Sequence, residues 1–343
     1  MWYNIDVRIN IIGGSEMKLQ ILVSQYKENE DVISPLLTSI SIQQGIDLGE
    51  IGVVIVNDGS DVKLSDEFIG KFPYHIDYIL APHGGVSKTR NTALDFATAD
   101  YVMFCDADDM FLNNAGLYLI FNEIEKGEFN ALISRFSEEV GNKETSKRSY
   151  INHGYEDATF IHGKVYRRQF LIDKKIRWCD ELTIHEDSYF SYLCRVCAED
   201  KNIRFCNDVF YLWKYRPDSV CRTDSKWIMK SLPHMVKSSA KLTDELIKRG
   251  KLVHARTTAA NLLIRCYFRM NMDEWNDTKL LEYRLKNEKA IKEFYEKYWP
   301  LVEGMDKTQY NDIWKRLVND ALNKGVYQVK ITFAEWQNMM GKK

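Results

Sequence analysis

The sequence predicts an α/β fold with a mostly parallel sheet, followed by a smaller helical domain. Three observations predict it. Apolar, strand-like segments alternate with helical ones from Lys18 onward, polar and acidic clusters follow several of the strands, and after about Asp224 only amphipathic helical patterns occur. Ligands of such sheets bind beyond the carboxyl ends of the strands. A length of 343 residues also exceeds the usual size of one domain.

The elements of the sheet domain follow from their apolar patterns. Short continuous apolar runs predict buried strands, and the longer periodic stretches between them predict helices. The predicted strands cover residues 19–24, 51–57, 76–80 and 101–105. The predicted helices cover residues 31–44, 87–97 and 188–198. This order is a βαβαβ rhythm, which places helices on both faces of the sheet.

Three parts of the chain are predicted: a leader or extended start over residues 1–16, the sheet domain over 17–224 and the helical domain over 225–343. The leader ends in Gly-Gly-Ser-Glu before Met17, so it stays outside the fold prediction. Helices are predicted over 226–248, 251–271, 276–298 and 309–323, with breaks at 271–276 and 300–306.

Composition excludes several classes of protein. A content of 45% apolar residues, 13% aromatic residues and six prolines excludes disordered and collagen-like chains. The sequence has neither a signal-peptide pattern nor a run of about 18 to 20 uncharged apolar residues, so we expect no transmembrane segment and a cytoplasmic protein. Seven cysteines, an odd number, favour reduced thiols. The Cys194-x-x-Cys197 spacing leaves a structural zinc as the alternative.

Charge is divided unequally along the chain. The net charge is −2, but residues 222–343 carry 24 basic and 15 acidic residues. The basic segment 226–269 indicates an anionic partner. The alternatives are solvated helix faces or a homo-oligomer contact through the C-terminal helices.

A cluster of acids follows the predicted strand 101–105. Asp106, Asp108 and Asp109 repel one another at the end of an apolar strand, and a divalent cation with oxygen ligands relieves that repulsion. The alternative is a solvated acidic turn or a helix cap. Asp58 lies at the end of another apolar strand, where it either accepts hydrogen bonds from a ligand or caps its own turn.

Five motifs occur in this order along the chain: Val23-Ser24-Gln25-Tyr26, Val56-Asn57-Asp58-Gly59-Ser60, Gly85-Val86-Ser87-Lys88-Thr89-Arg90-Asn91, Phe104-Cys105-Asp106-Ala107-Asp108-Asp109 and His185-Glu186-Asp187. In this order and spacing they resemble the nucleotide-sugar-dependent glycosyltransferases of family 2, which have the GT-A fold. Residues 210–220 resemble the family's arginine and serine segment. The resemblance covers residues 18–222 and does not extend to the C-terminal helices.

The resemblance implies roles for the matching residues. Tyr26 would stack on the nucleobase, Asp58 would bond its edge, and Arg90 would hold the nucleotide. Asp106 would contact the ribose, and Asp108 would bind the Mg²⁺ or Mn²⁺ that bridges the diphosphate. The residues matched to nucleotide-sugar-binding positions are Ser24, Tyr26, Asp58, Arg90, Asp106 and Arg216.

The resemblance also implies that Asp187 is the catalytic base. His162, His185 and Glu186 are candidate acceptor-site residues, and a core or surface position is the alternative for His162. Relatives often add a histidine metal ligand downstream of the base. Residues 188–224 contain no histidine, so Arg216 or water is expected to neutralise charge there.

The expected function is an inverting, metal-dependent transfer of a sugar from a UDP-sugar to a hydroxyl acceptor. A wall polymer, another polysaccharide and a nucleic acid are the anionic acceptors left open. Two other functions also stay open: a sugar-nucleotide hydrolase or nucleotidyltransferase that uses the same acids, and a non-catalytic glycan- or nucleotide-binding module.

Overall fold

The computed structural model describes residues 16–141, 147–155, 159–217 and 227–341, together with the backbone of residues 6–10. It divides into two compact units, Met1–Ser219 and Val220–Lys343. The predicted boundary between residues 224 and 225 lies outside the described residues.

The first unit is an α/β unit in which strands and helices alternate. Its strands are β1 Asp6–Asn10, β2 Leu19–Gln25, β3 Ile51–Asp58, β4 His75–Ala81, β5 Tyr101–Asp106, β6 Met110–Phe111, β7 Ala131–Gly141, β8 Arg148–His153, β9 Lys164–Arg167 and β10 Ile203–Trp213. Its helices are α1 Glu30–Ser41, α2 Asp66–Ile69, α3 Val86–Phe96, α4 Gly116–Glu125, α5 Arg168–Asp173 and α6 Glu186–Ala198.

The strands form one mixed sheet in the order β1-β4-β3-β2-β5-β9-β7-β10-β6, and β8 pairs with β7. Strands β4, β3, β2 and β5 are parallel neighbours, as are β7 and β10. The remaining pairs are antiparallel. The predicted α/β class with a mostly parallel core is confirmed.

Burial explains why the central strands read as continuous apolar runs. All eight residues of β3 are buried, because helices cover both faces of a parallel sheet. The register sets Ser24 beside Asp106 and Gln25 beside Asn57. The carboxyl ends of β2, β3 and β5 therefore meet at one edge of the sheet, and the polar clusters that follow them lie together there.

The predicted elements of the parallel core agree with the structure to within a residue or two, except that α1 ends at Ser41 rather than at residue 44. Strands β6 to β10 were not predicted. Strand β9 has only four residues, β8 is almost entirely exposed, and β10 is interrupted by bulges, so none of these shows a clear apolar pattern. Residues 6–10 of the predicted leader form β1, which pairs with β4.

The second unit consists of helices around an aromatic-rich core. They are α7 Trp227–Lys248, α8 Leu252–Met270, α9 Leu281–Glu303, α10 Lys307–Asn323 and α11 Phe333–Gly341. The expected break at residue 300 is wrong, since α9 continues through Pro300 to Glu303. Trp275 and Trp336 are buried in the core. Within the described residues, no helix combines the length and apolarity that a membrane crossing requires.

Candidate functional site

The acidic turn after β5 lies at the carboxyl edge of the sheet. An Asp106 oxygen accepts a hydrogen bond from Arg90 Nη2 at 2.8 Å, and an Asp108 oxygen accepts one from Arg216 Nη1 at 3.1 Å. The same Arg216 nitrogen lies 3.2 Å from a Glu28 carboxylate oxygen. Asp109, the third acid of the turn, is completely buried. The turn is therefore already bound to two cationic side chains.

Arg90 on α3 is the hub of the site. Its side chain is 4% exposed, and its Nη1 lies 2.7 Å from Asp187 and 3.1 Å from Glu186, while Nη2 bonds Asp106. The guanidinium also lies over the Trp178 ring, 4.4 Å from its centroid. Three carboxylates from β5 and α6 thus converge on one buried cation. The nucleotide-holding role predicted for Arg90 stays a prediction.

Asp187 lies in the first turn of α6, two positions after a residue with unusual backbone geometry. His185 has φ of +62°, the left-handed region, and such strain is typical of functional sites. Burial raises the pKa of Asp187 to about 7, and the charges of Glu186 and Asp106 raise it too, whereas Arg90 and Lys164 act in the opposite direction. A carboxylate with this pKa is suited to accept a proton near neutral pH.

The acidic turn fits a hard divalent cation. Burial raises the pKa of Asp108, with a further contribution from the Asp106 charge. Burial and both neighbouring acids raise the pKa of Asp109 well above its usual value. These shifts record repulsion that a cation with oxygen ligands relieves. Ligand atoms of Asp106, Asp109 and His162 lie within 4.8 Å of one another, and Asp108, the predicted metal ligand, is not part of that group.

The ends of β2 and β3 carry the other predicted nucleotide residues. Tyr26 is 43% exposed and stacks on His83 at 4.9 Å. The carboxylate of Asp58 accepts hydrogen bonds from the backbone of Gly84 at 2.7 Å and Gly85 at 3.0 Å, and it lies 2.9 Å from His83. Asp58 therefore holds the loop that precedes α3. Ser24 is half-buried at the end of β2.

The sequence of this chain matches the model of a known protein family. The family model described as "Glycosyl transferase family 2" matches residues 20–195, just over half of the chain. The chain belongs to this family. The resemblance inferred from the five motifs is confirmed.

Two curated relatives of this family 2 chain are named for enzymes of poly(ribitol phosphate) and poly(glycerol phosphate). It is 27% identical over 185 residues to poly(ribitol-phosphate) beta-N-acetylglucosaminyltransferase TarS of Staphylococcus aureus, covering 51% of this chain and 32% of that protein. It is 40% identical over 96 residues to a teichoic acid poly(glycerol phosphate) polymerase of Staphylococcus epidermidis, covering 27% of this chain and 13% of that one. The chain spans about a third or less of the length of these relatives.

Solved structures show the fold. The crystal structure of S. aureus TarS 1–349 is similar with a TM-score of 0.59 and 18% identity, over 92% of this chain and 95% of that one. A second structure of TarS 1–349, in complex with UDP-GlcNAc, gives a TM-score of 0.58 and 19% identity with the same coverage. The predicted GT-A fold is confirmed.

His162 lies in the core, which was the alternative to the acceptor-site position. It is 2% exposed, its ring stacks on Tyr211 at 5.0 Å, and burial lowers its pKa to about 3. So deeply buried a ring offers little surface to an acceptor. Within the part of the chain that the structure describes, its Nδ1 has no hydrogen-bond partner, and it lies 3.8 Å from an Asp109 carboxylate oxygen.

The sequence analysis missed His83 and gave no role to Gly59 or Tyr211, although both lie within the quoted motifs. His83 was not singled out, although a histidine followed by two glycines between a strand and a helix is a signal for a ligand loop. Gly59 has φ of +68°, and a Cβ there would lie 2.4 Å from the His83 backbone nitrogen, so only glycine fits. Tyr211 lies in segment 210–220, but its bond to Asp109 at 2.6 Å could not be predicted because strand β10 was not.

We expect Arg90→Gln to destabilise the first unit strongly, because it leaves Asp106, Glu186 and Asp187 crowded without their cation. Removing one partner of a buried ion pair costs about 3 to 5 kcal/mol. Arg177→Gln is the control, since its pair with Asp95 is partly exposed and worth about 1 kcal/mol or less. Urea unfolding measures both changes. Equal midpoints for the two variants would show that Arg90 is not the hub.

Proposed function

We propose that the protein is an inverting glycosyltransferase that moves a sugar from a UDP-sugar to a hydroxyl acceptor. One observation carries the proposal: Asp187, a half-buried carboxylate with a pKa of about 7, lies at the same sheet edge as the acidic turn and is joined to it through Arg90. A base and a cluster of acids able to hold a cation are the two groups that such a transfer requires.

The donor would lie across the carboxyl ends of β2, β3 and β5. Tyr26 offers an exposed ring for stacking on the nucleobase, and the loop held by Asp58 lies beside it. Ser24 and Asp106 lie opposite each other in the register, at the place proposed for the ribose. Structures of TarS in complex with UDP and with UDP-GlcNAc favour a uridine nucleotide.

We infer that Asp108 would hold Mg²⁺ or Mn²⁺, with Asp106 next to it. The two oxygens of Asp109 already accept hydrogen bonds from within the sheet unit, whereas Asp108 is 25% exposed and is bound by Arg216, which is 37% exposed. Carboxylate oxygens suit both cations. When bound, the cation would neutralise the charge of the diphosphate leaving group.

In the proposed reaction, Asp187 takes the proton of the acceptor hydroxyl. The acceptor oxygen attacks the anomeric carbon from the face opposite the UDP, so one carbon–oxygen bond forms as the bond to the diphosphate breaks. The configuration inverts, and UDP leaves with the electron pair. Arg216 lies beside Asp108, where its charge would favour the developing negative charge on the diphosphate.

The acceptor is proposed to be a phosphate-bearing polymer. The named relatives act on poly(ribitol phosphate) and poly(glycerol phosphate), and residues 222–343 carry the excess of basic residues. Part of that excess is neutralised within the helices, since Arg249 lies 2.7 Å and Lys248 3.9 Å from Glu245. Against the effect of burial, the charges of Arg265 and Arg269 lower the pKa of Asp320, so this acid offsets part of their charge.

The transfer rate is expected to rise with pH up to about 7 and then to level off. Only the deprotonated carboxylate of Asp187 accepts a proton. Below its pKa of about 7, the deprotonated fraction of the enzyme therefore decreases as the pH decreases. Arg90, Glu186, Asp106 and Lys164 are the charged groups around it. Rates at saturating donor from pH 5 to 9 measure the profile. A flat profile would remove Asp187 as the base.

A melting-temperature screen of nucleotide sugars, with and without Mn²⁺, tests the donor proposal. A ligand that binds the folded state raises the melting temperature by mass action. We expect UDP-sugars to raise it only with the cation present, and GDP- and CDP-sugars to leave it unchanged. An equal response to every nucleotide would contradict a uridine site.

A further inference from the structure

Asp109 is the one acid of the turn that is completely buried. Its Oδ2 accepts a hydrogen bond from the Tyr211 hydroxyl at 2.6 Å, and its Oδ1 accepts one from the backbone N–H of Lys214 at 3.0 Å. Among the described residues, no side-chain nitrogen of a lysine or arginine lies within 4 Å of this carboxylate, and His162 Nδ1 lies 3.8 Å from it. A buried acid without a cation is costly, so its retention calls for an explanation.

The two hydrogen bonds join the acidic turn to the end of β10. Tyr211 also accepts a hydrogen bond from the backbone N–H of Asp106 at 3.3 Å, so its hydroxyl connects both acids. Strand β10 ends at Trp213, and residues 214–216 continue without sheet pairing. In that segment Asp109 holds the backbone of Lys214, and Glu139 holds that of Tyr215 at 3.0 Å. Arg216, the partner of Asp108, follows directly.

A carboxylate accepts both hydrogen bonds of this arrangement. Two donors, a hydroxyl and a backbone N–H, point at the two oxygens of Asp109. An asparagine offers one acceptor oxygen, so it keeps one of these bonds and turns an amide N–H group toward the other donor. Asp109→Asn therefore loses or reverses one of the two links with little change in volume.

We propose that Asp109 is a positioning residue: through Tyr211 and Lys214 it sets the spacing between Asp108 and Arg216. These two side chains come from segments far apart in the sequence, and their 3.1 Å contact places them where the diphosphate and its cation are proposed to bind. The inference rests on the proposed donor site but concerns a residue that itself touches no ligand. Partners that orient metal ligands typically contribute about 10- to 100-fold in metal affinity or activity.

The test measures UDP binding by calorimetry in Mn²⁺, without turnover, together with the melting temperature of the ligand-free protein. The variants are Asp109→Asn, Tyr211→Phe and the double variant. Tyr74→Phe is the matched control, because it also removes a buried hydroxyl, one that donates to the Leu37 carbonyl at 2.7 Å. Tyr211→Phe keeps the carboxylate, so it decides the question if Asp109→Asn does not fold.

We expect Asp109→Asn and Tyr211→Phe each to weaken UDP binding by about tenfold. The double variant should bind UDP as tightly as the weaker-binding of the two single variants, because both changes break the same Asp109–Tyr211 link. Tyr74→Phe should lower the melting temperature and leave UDP affinity unchanged. If all the variants lose stability but bind UDP like the wild type, Asp109 is only structural and the inference is wrong. If the wild type itself binds no UDP in Mn²⁺, the proposed donor site fails, and the inference fails with it.

Discussion

Asp187→Asn is expected to lose transfer by about a hundredfold or more while it still binds donor and cation, because an amide cannot take the acceptor proton. The side chain keeps its size and its oxygen contact with Arg90, so the fold should survive. The loss should appear in kcat rather than in the donor KM, since the missing step follows donor binding.

Glu186→Gln is the matched control for this variant. Glu186 precedes Asp187 on α6 and contacts the same Arg90 nitrogen, at 3.1 Å. The Glu186→Gln variant should keep a much larger share of the wild-type kcat than Asp187→Asn does. If the two effects are reversed, the base is Glu186. If both variants turn over at the wild-type rate at saturating donor, neither residue of this pair is the base.

Asp108→Ala is expected to abolish transfer, and EDTA should do the same to the wild type. Without this carboxylate the proposed cation loses its ligand and the diphosphate loses its counter-charge, so donor binding should weaken as well. The melting temperature of the ligand-free variant should be equal to or above that of the wild type, because burial raises the pKa of Asp108 and its charge is costly in the folded state.

Asp61→Ala controls for the loss of one negative charge, since Asp61 is exposed in the same unit. It should transfer sugar and respond to EDTA like the wild type. Full activity in EDTA after removal of residual metal would show that the transfer needs no cation, and Arg216 would then be the group that neutralises the leaving diphosphate.

The parallel core could be predicted because its strands are buried on both faces and therefore read as uninterrupted apolar runs. The later strands could not, because β8 is exposed and β10 carries Asn207 and Asp208 at its bulge. Pro300 misled the prediction of α9, because a proline usually ends a helix, whereas α9 continues through it for three more residues to Glu303.

The motifs indicated individual residues of the candidate site but not the contacts between them. They indicated Asp106, Asp187 and Arg90, yet nothing local shows that Arg90 binds an acid 97 positions away. Such pairings depend on strand order, which a single sequence does not reveal. For His162 the sequence left an acceptor-site and a core position open, because its place along the chain does not show that aromatic rings enclose it.

The most direct test of the account follows a radiolabelled sugar from the UDP-sugar selected by the melting screen. The protein, Mn²⁺ and poly(ribitol phosphate) or poly(glycerol phosphate) are incubated together, and polymer, free sugar and nucleotide are separated. We expect label in the polymer, with one UDP released for each sugar transferred. With Asp187→Asn we expect neither labelled polymer nor released UDP. Label recovered only as free sugar or sugar phosphate, with the polymer unlabelled, would contradict it and identify a hydrolase that uses the same acids.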